Sequence, residues 1–149
     1  MPRFWILNCK SSMFDFESAL SDEKILEEGM TWKVSQKFDS IHPGDIYFLY
    51  AGVPHQSLVA CGYIEEGVIE QECDTTSAKY WKKKENGKIA PRVYISIGHK
   101  FEPYIKSSYV NPVGTGVNEL VPLGKMGSNR EIPPLASIRL KQMLNLELD

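Results

Sequence analysis

Two tryptophans stand in stretches whose other residues are too polar to read as core. Trp32 lies in "GMTWKVSQKF", between Thr31 and Lys33, and Trp81 lies in "KYWKKK", the most basic run of the chain. An indole offers a wide flat face, and in polar, basic surroundings that face suits stacking on a planar ligand, with lysines at hand for phosphates. The ordinary alternative is that each ring closes an edge of the core and its N–H bonds to backbone. Spacing alone leaves both readings open.

Other chemistry finds little support. The chain has no phosphate-cradling GxxxxGK[ST], no HExxH, no GxSxG and no Cys/His cluster at metal spacing. His42, His55 and His99 all fall at inferred turns or strand ends, where a surface role is the ordinary one. Cys9 ends an apolar strand, so an inert buried thiol explains it better than a nucleophile does. Cys9, Cys61 and Cys73 are odd in number and form no CxxC pair, which suggests reduced, partly buried thiols. Glu27-Glu28 and Glu65-Glu66 read as solvated surface. A binding protein without catalytic residues, metal or cofactor is therefore expected.

With 149 residues, 42% of them hydrophobic, the chain fills one core and suits a single domain, 1–149. No apolar run nears the roughly 20 residues of a membrane span, and the start, "MPRFWILNCK", lacks a long apolar signal region. A cytoplasmic location is the expectation. The net charge of −2 argues at first against a nucleic-acid partner. That average conceals a division. Residues 79 to 106 hold eight Lys or Arg against two acids, a surplus of +6, whereas the rest hold nine bases against seventeen acids, −8. Such a run is either a solvated face or a groove for phosphates.

The elements that must position these residues follow from pattern. "RFWILNC" (3 to 9) reads as a buried first strand. In "SSMFDFESALSDEKILEEG", Phe16, Ala19, Leu20 and Leu26 suit one helical face, with Ser11 or Ser12 as cap and Gly29 as stop. Pro43-Gly44 marks a turn into a strand through Tyr50, and "SLVACGYIEE" returns antiparallel across "AGVPHQ". Trp5, Tyr47, Phe48 and Tyr50 fit core packing. "TTSAKYWKKKENGK" is a basic connection with room for a helical turn, followed by the strand "APRVYISIGHKF", with Val93, Ile95 and Ile97 on one face. From Tyr104 to Glu131 the chain is rich in Gly, Pro, Ser and Asn, and an irregular path is expected. "PPLASIRLKQMLNLEL" opens on proline and carries Leu135, Ile138, Leu140, Met143 and Leu144, a terminal amphipathic helix. These segments predict a small α+β domain, a curved or barrel-like and mainly antiparallel sheet flanked by helices.

In this order the segments resemble the EVE and YTH domains of the PUA-like superfamily over nearly the whole chain. The likeness is carried by "RFWILN", the acidic helix, "TWKVSQKFDSIHPGDIYFLYAG", "LVACGYI", "YWKKK" before "PRVYISI", and the helix after "SNREIPP". It is nearest in style to EVE domains, in which a Trp-x-Val segment precedes I-x-x-GD-I-Y and an A-x-G-x-I strand.

The resemblance implies a reader of a modified, methylated base. YTH domains enclose the methyl group of N6-methyladenine in RNA within an aromatic cage, and some EVE-like domains fused to McrBC-type restriction ATPases read modified bases in DNA. Trp32 aligns with the first cage tryptophan, and Trp81 with that of a later K-W-K segment. The intermediate cage tryptophan has no counterpart in "EEGVIEQECDTTSAK", leaving Tyr50 or Tyr80 as substitutes. Asn8, Cys9 and Lys10 fall where the family places polar groups, with side chains that differ from those of YTH domains. Asn8 and Ser35 are candidates for the base edge. Lys33, Lys37, Lys82, Lys83, Lys84 and Arg130 are candidates for phosphates, with Lys88 and Arg92 as outer contributors or mere strand flanks. The implied partner is DNA carrying a modified base, with a nuclease or ATPase module in the same or another chain. The alternatives are a PUA-like binder of modified RNA, and a nucleoside- or small-molecule-binding protein or enzyme using the same pocket.

Overall fold

The computed structural model describes residues 2–83, 88–111, 121, 123 and 129–146. Alternating burial in the apolar runs builds one mixed sheet. Its strands are β1 (Phe4–Cys9), β2 (Met30–Lys33), β3 (Ile46–Ala51), β4 (Ser57–Gln71), β5 (Ala90–Lys106) and β6 (Asn129–Glu131), in the spatial order β2-β5-β4-β3-β1-β6. β1 and β3 run parallel from Phe4 opposite Ile46 to Cys9 opposite Ala51, and every other described pairing is antiparallel. The predicted α+β architecture is thus observed.

The expected single helix over 11–29 is instead two short ones, α1 (Phe16–Ala19) and α2 (Glu23–Glu28). Asp15 and Asp22, not Ser11 or Ser12, cap them by accepting the N–H of Ser18 and Lys24. The division rotates the apolar stripe, so Ile25 is buried and Leu26 exposed. Gly29 does stop α2. Its φ is +82°, and a Cβ there would lie 2.1 Å from the Ile95 carbonyl oxygen.

Further on come a 3-10 turn (Phe38–Ser40), α3 (Thr75–Ala78), α4 (Ser107–Val110) and α5 (Pro134–Leu144). β5 runs on to Lys106, three residues into a stretch expected to be irregular. In α5 the buried positions are Ala136, Ser137 and Leu140, whereas Leu135 and Ile138 face solvent, contrary to the stripe read from sequence.

Two cores lie on opposite faces of the sheet. Period-2 alternation sends Trp5, Leu7, Cys9, Tyr47, Leu49 and Ala51 to the face covered by α1 and α2. The intervening Phe4, Ile6, Ile46, Phe48 and Tyr50 go to the face covered by α5. The Pro43-Gly44 turn is pinned by Asp45, whose carboxylate accepts the Arg3 and His42 N–H groups and the Trp5 indole N–H at 2.9–3.0 Å. β4 and β5 bend through several register breaks. At Gly62 a side chain would meet the Ser96 carbonyl oxygen at 2.0 Å.

Curvature brings the two edges of the sheet together. Asn129 of β6, fully buried, accepts the Ser35 and Gln36 N–H groups on Oδ1 at 2.8 and 3.3 Å, and its Nδ2 donates to the Gln36 carbonyl at 2.9 Å. Gln36 answers by donating Nε2 to the Asn129 carbonyl at 2.6 Å. One amide side chain thereby does what a strand ladder would do elsewhere.

Candidate functional site

Trp32 owes its position to strand alternation. β2 pairs with β5, Trp32 opposite Val93, so Met30, Trp32 and Val34 point inward while Thr31 and Lys33 point away. The polar neighbours that made Trp32 look misplaced are the other face of an edge strand. The ring is 2% exposed. Burying an indole removes roughly 150–250 Å² from water, worth about 4–6 kcal/mol as an upper bound, so it stabilises the core whatever else it does.

Trp81 reaches the same place from the β4–β5 connection. After α3 the chain forms a short antiparallel bridge between Phe14 and Trp81. The Asp15 N–H donates to the Tyr80 carbonyl at 2.8 Å, and the Lys82 N–H to the Met13 carbonyl at 2.9 Å. Phe14 enters as a third ring. Its centroid is 4.5 Å from Trp81 and 5.2 Å, edge-on, from Trp32, and the two tryptophans are 5.5 Å apart at 40°. Trp81 is half-buried, and its Nε1 is covered by protein with no acceptor among the described residues.

A base stacked on both indoles needs about 3.5 Å on each side, hence walls about 7 Å apart and nearly parallel. The pair is closer and more tilted than that. In this arrangement Trp81 itself covers Trp32, and a base reaches between them only if Trp81 moves outward.

The remaining expected residues divide. Tyr50 is not at the tryptophan pair, because it alternates onto the α5 face, and Asn8, opposite Tyr50 in the β1–β3 register, stands on that face too. Lys10 is exposed just beyond β1, and its carbonyl receives the Met13 and Phe14 N–H groups that turn Phe14 toward the cluster. Lys82 donates Nζ to the Ser11 carbonyl at 2.7 Å, and Lys83 beside it is exposed. Lys84 lies outside the described residues. Ser35 is held by its N–H on Asn129, Lys33 and Lys37 are exposed on either side of it, and Arg130 follows Asn129 in β6. The Asn129 contacts thus set these cationic residues along one closed edge.

The basic run is less available than its charge suggested. Arg92 is fully buried, with Nε on the Gln71 carbonyl and Nη2 on the Lys88 carbonyl, so it is not a surface phosphate contact. Lys79 pairs with Asp22 at 3.6 Å and Lys100 with Glu102 at 3.0 Å. Cys9 is buried, and burial pushes its thiol up to about 12 despite the nearby Lys82. A groove of about 660 Å³ lies against α5, between Phe4, Ile132 and Ile138, on the opposite face from the tryptophans.

Sequence reasoning missed Phe14, Asp74 and Asn129. "CDTTS" carried a visible sign, an Asp three residues before a Ser, and Asp74 does cap α3. That Asp74 also holds Thr31, 43 residues away, had no local sign.

No protein-family model matches the sequence, and no curated protein does. Solved structures do. The Rhodopseudomonas palustris protein Rpa0253, solved by NMR, is 14% identical, covering 97% of this chain and 94% of its own at a TM-score of 0.61. The Agrobacterium tumefaciens protein Atu2648 is 12% identical over 97% and 94%, with a TM-score of 0.57. The YTH domain of Zygosaccharomyces rouxii MRB1, crystallised in complex with N6-methyladenosine RNA, is 13% identical over 99% of this chain and 87% of its own, TM-score 0.56. At identities this low the likeness shows architecture alone: the chain has the fold of a YTH domain.

Proposed function

We propose that the chain is a non-catalytic reader of nucleic acid that captures a modified, methylated base at the Phe14–Trp32–Trp81 cluster. The observation that carries this reading is the convergence of two tryptophans, 49 residues apart in sequence, onto one three-ring cluster beside exposed lysines. Lys33, Lys37, Lys82, Lys83 and Arg130 are the proposed phosphate contacts, with Lys84 next in sequence. A base taken out of a duplex costs a few kcal/mol, and stacking returns about 1–3 kcal/mol per base. A methyl group adds roughly 0.8 kcal/mol of burial. Base identity then rests on polar groups near Ser35, because Asn8 and Tyr50 lie on the far face of the sheet. The EVE-like order of segments favours modified DNA, with this domain as the specificity module of a restriction system. A second reading, modified RNA, is favoured by the likeness to a YTH domain crystallised with N6-methyladenosine RNA.

Tryptophan fluorescence titration with matched methylated and plain DNA and RNA oligonucleotides tests both. Trp81→Ala should lower affinity for the preferred methylated strand about tenfold or more and erase methyl preference. Unchanged affinity and selectivity in Trp81→Ala and Trp32→Phe would refute the site. Equal affinity for the free nucleoside monophosphate, without salt dependence, would point to a small-molecule protein instead.

A further inference from the structure

The two tryptophans belong to different parts of the chain, and one carboxylate joins those parts. Asp74 Oδ1 accepts the Thr31 N–H at 3.0 Å and the Thr31 hydroxyl at 2.9 Å, and the Asp74 N–H donates back to Thr31 Oγ1 at 3.1 Å. The same side chain caps α3 by accepting the Ser77 N–H at 3.0 Å and the Ser77 hydroxyl. Thr31 precedes Trp32. α3 is followed within three residues by Trp81.

Among the described residues β2 is an edge strand, with β5 as its one strand neighbour. The Thr31 N–H points to the open edge, where unpaired groups otherwise meet water or another chain. Asp74 occupies that edge. At its far end the 75–81 arm is held again, by the Tyr80 hydroxyl on Asp22 Oδ2 at 2.6 Å and the Lys79–Asp22 pair.

We propose that Asp74 is a positioning residue: through Thr31 it fixes the strand carrying Trp32 relative to the arm carrying Trp81, and so sets the spacing of the two indoles. This rests on the reader function above. With β2 tied to the arm in this way, the outward movement of Trp81 that admits a base starts from one defined geometry rather than from two separately mobile segments.

The test separates the two tasks of Asp74. Asp74→Ser keeps a good helix cap but is too short to reach Thr31, whereas Asp74→Asn keeps an oxygen for Thr31. Two indoles 5.5 Å apart couple excitonically, so circular dichroism of the free protein reports their geometry without any ligand. The expected result is loss of the exciton couplet and an about tenfold weaker affinity for the methylated oligonucleotide in Asp74→Ser, the equivalent of one stacked face. Asp74→Asn should retain the couplet and bind within about threefold of the parent, on the scale of one exposed hydrogen bond. Should Asp74→Ser fail to fold, Thr31→Val removes both hydroxyl bonds while keeping a β-branched strand residue and the Thr31 N–H bond, and should weaken the couplet. A full couplet in Asp74→Ser or Thr31→Val, or equal loss in Asp74→Ser and Asp74→Asn, overturns the proposal. Failure of the reader function itself appears elsewhere, as unchanged binding in Trp81→Ala with the Asp74 effects on the couplet intact.

Discussion

Asn129→Asp exchanges one donor for one acceptor at the junction that closes the sheet. In the parent, Oδ1 takes two N–H groups from Ser35 and Gln36, and Nδ2 gives one hydrogen bond to the Gln36 carbonyl. The aspartate keeps the first pair of contacts and sets a second oxygen against a carbonyl, in a site with no solvent exposure. Two states are open to it. Ionised, it carries a buried charge facing an acceptor; protonated, its O–H donates to Gln36 and restores the parent pattern. Holding a carboxyl of ordinary pKa near 3.9 protonated at pH 7 costs about 1.4 kcal/mol per unit, so the penalty is at most about 4 kcal/mol. The sign follows from a folded-state pKa raised above the unfolded one. The penalty is absent below about pH 4 and grows as pH rises through the window up to the folded pKa, by roughly 1.4 kcal/mol per unit. Asn129→Ala removes three hydrogen bonds for a cost of about 3 kcal/mol with no such slope. Urea midpoints of both variants, taken relative to the parent at several values between pH 4.5 and 7.5, distinguish the two. A flat penalty in Asn129→Asp, or under about 1 kcal/mol in Asn129→Ala, would refute the view that this amide closes the sheet.

Trp81→Phe should be nearly neutral in stability, because the packing lost with the smaller ring is offset by removal of a covered N–H that lacks an acceptor among the described residues, a group costing about 1–3 kcal/mol. Trp81→Ala should cost about 2–4 kcal/mol in denaturant unfolding, below the full range because the ring is half-buried. For Asp74, burial pushes the carboxyl upward, but hydrogen bonds from Ser77 and Thr31 outweigh it and hold the group below its ordinary value. Its contribution to stability is therefore complete above about pH 4 and lost as pH falls through the lower folded value, and acid titration of Asp74→Asn should lack that loss. Burial holds the Cys9 and Cys61 thiols near 12, so brief alkylation of the folded protein at pH 8 should mark the partly exposed Cys73 alone, as peptide mapping would show.

What the sequence disclosed was whatever a local period encodes. Tyr47 and Phe48 are buried on opposite faces as their alternation required, Gly29 stops its helix, and the antiparallel return from β3 to β4 is where the turn residues placed it. Trp32 misled because a four-residue edge strand is too short to display a period, and its outward Thr31 and Lys33 masked an inward Met30, Trp32 and Val34. Tyr50 misled for the reverse reason. The cage tryptophan that the family resemblance implies and the sequence lacks made it a candidate wall, while one step of alternation from Leu49 sends it to the other face. Phe14 stayed hidden inside an expected helix, because the break at Asp15 that frees it is stabilised by contacts with Tyr80 and Trp81, more than 60 residues on.

The two faces of the sheet carry different demands. On the α5 side, Phe4, Ile6, Phe48 and Leu140 meet as a plain apolar core, and any volume-conserving exchange should be absorbed there. On the other face the core ends in three aromatic rings whose relative placement depends on polar contacts at its margin, with Asp74 holding β2 and Asp22 holding Tyr80. Asn129 adds the third point, fixing the 35–36 loop to β6. Apolar packing tolerates rearrangement, whereas these hydrogen bonds specify one geometry, each losing its value when a partner shifts by an ångström. Each of these ties also serves the fold, Asn129 by closing the sheet and Asp74 by capping α3. Their effect is to fix the resting placement of the three rings, from which the proposed entry of a base would have to move Trp81.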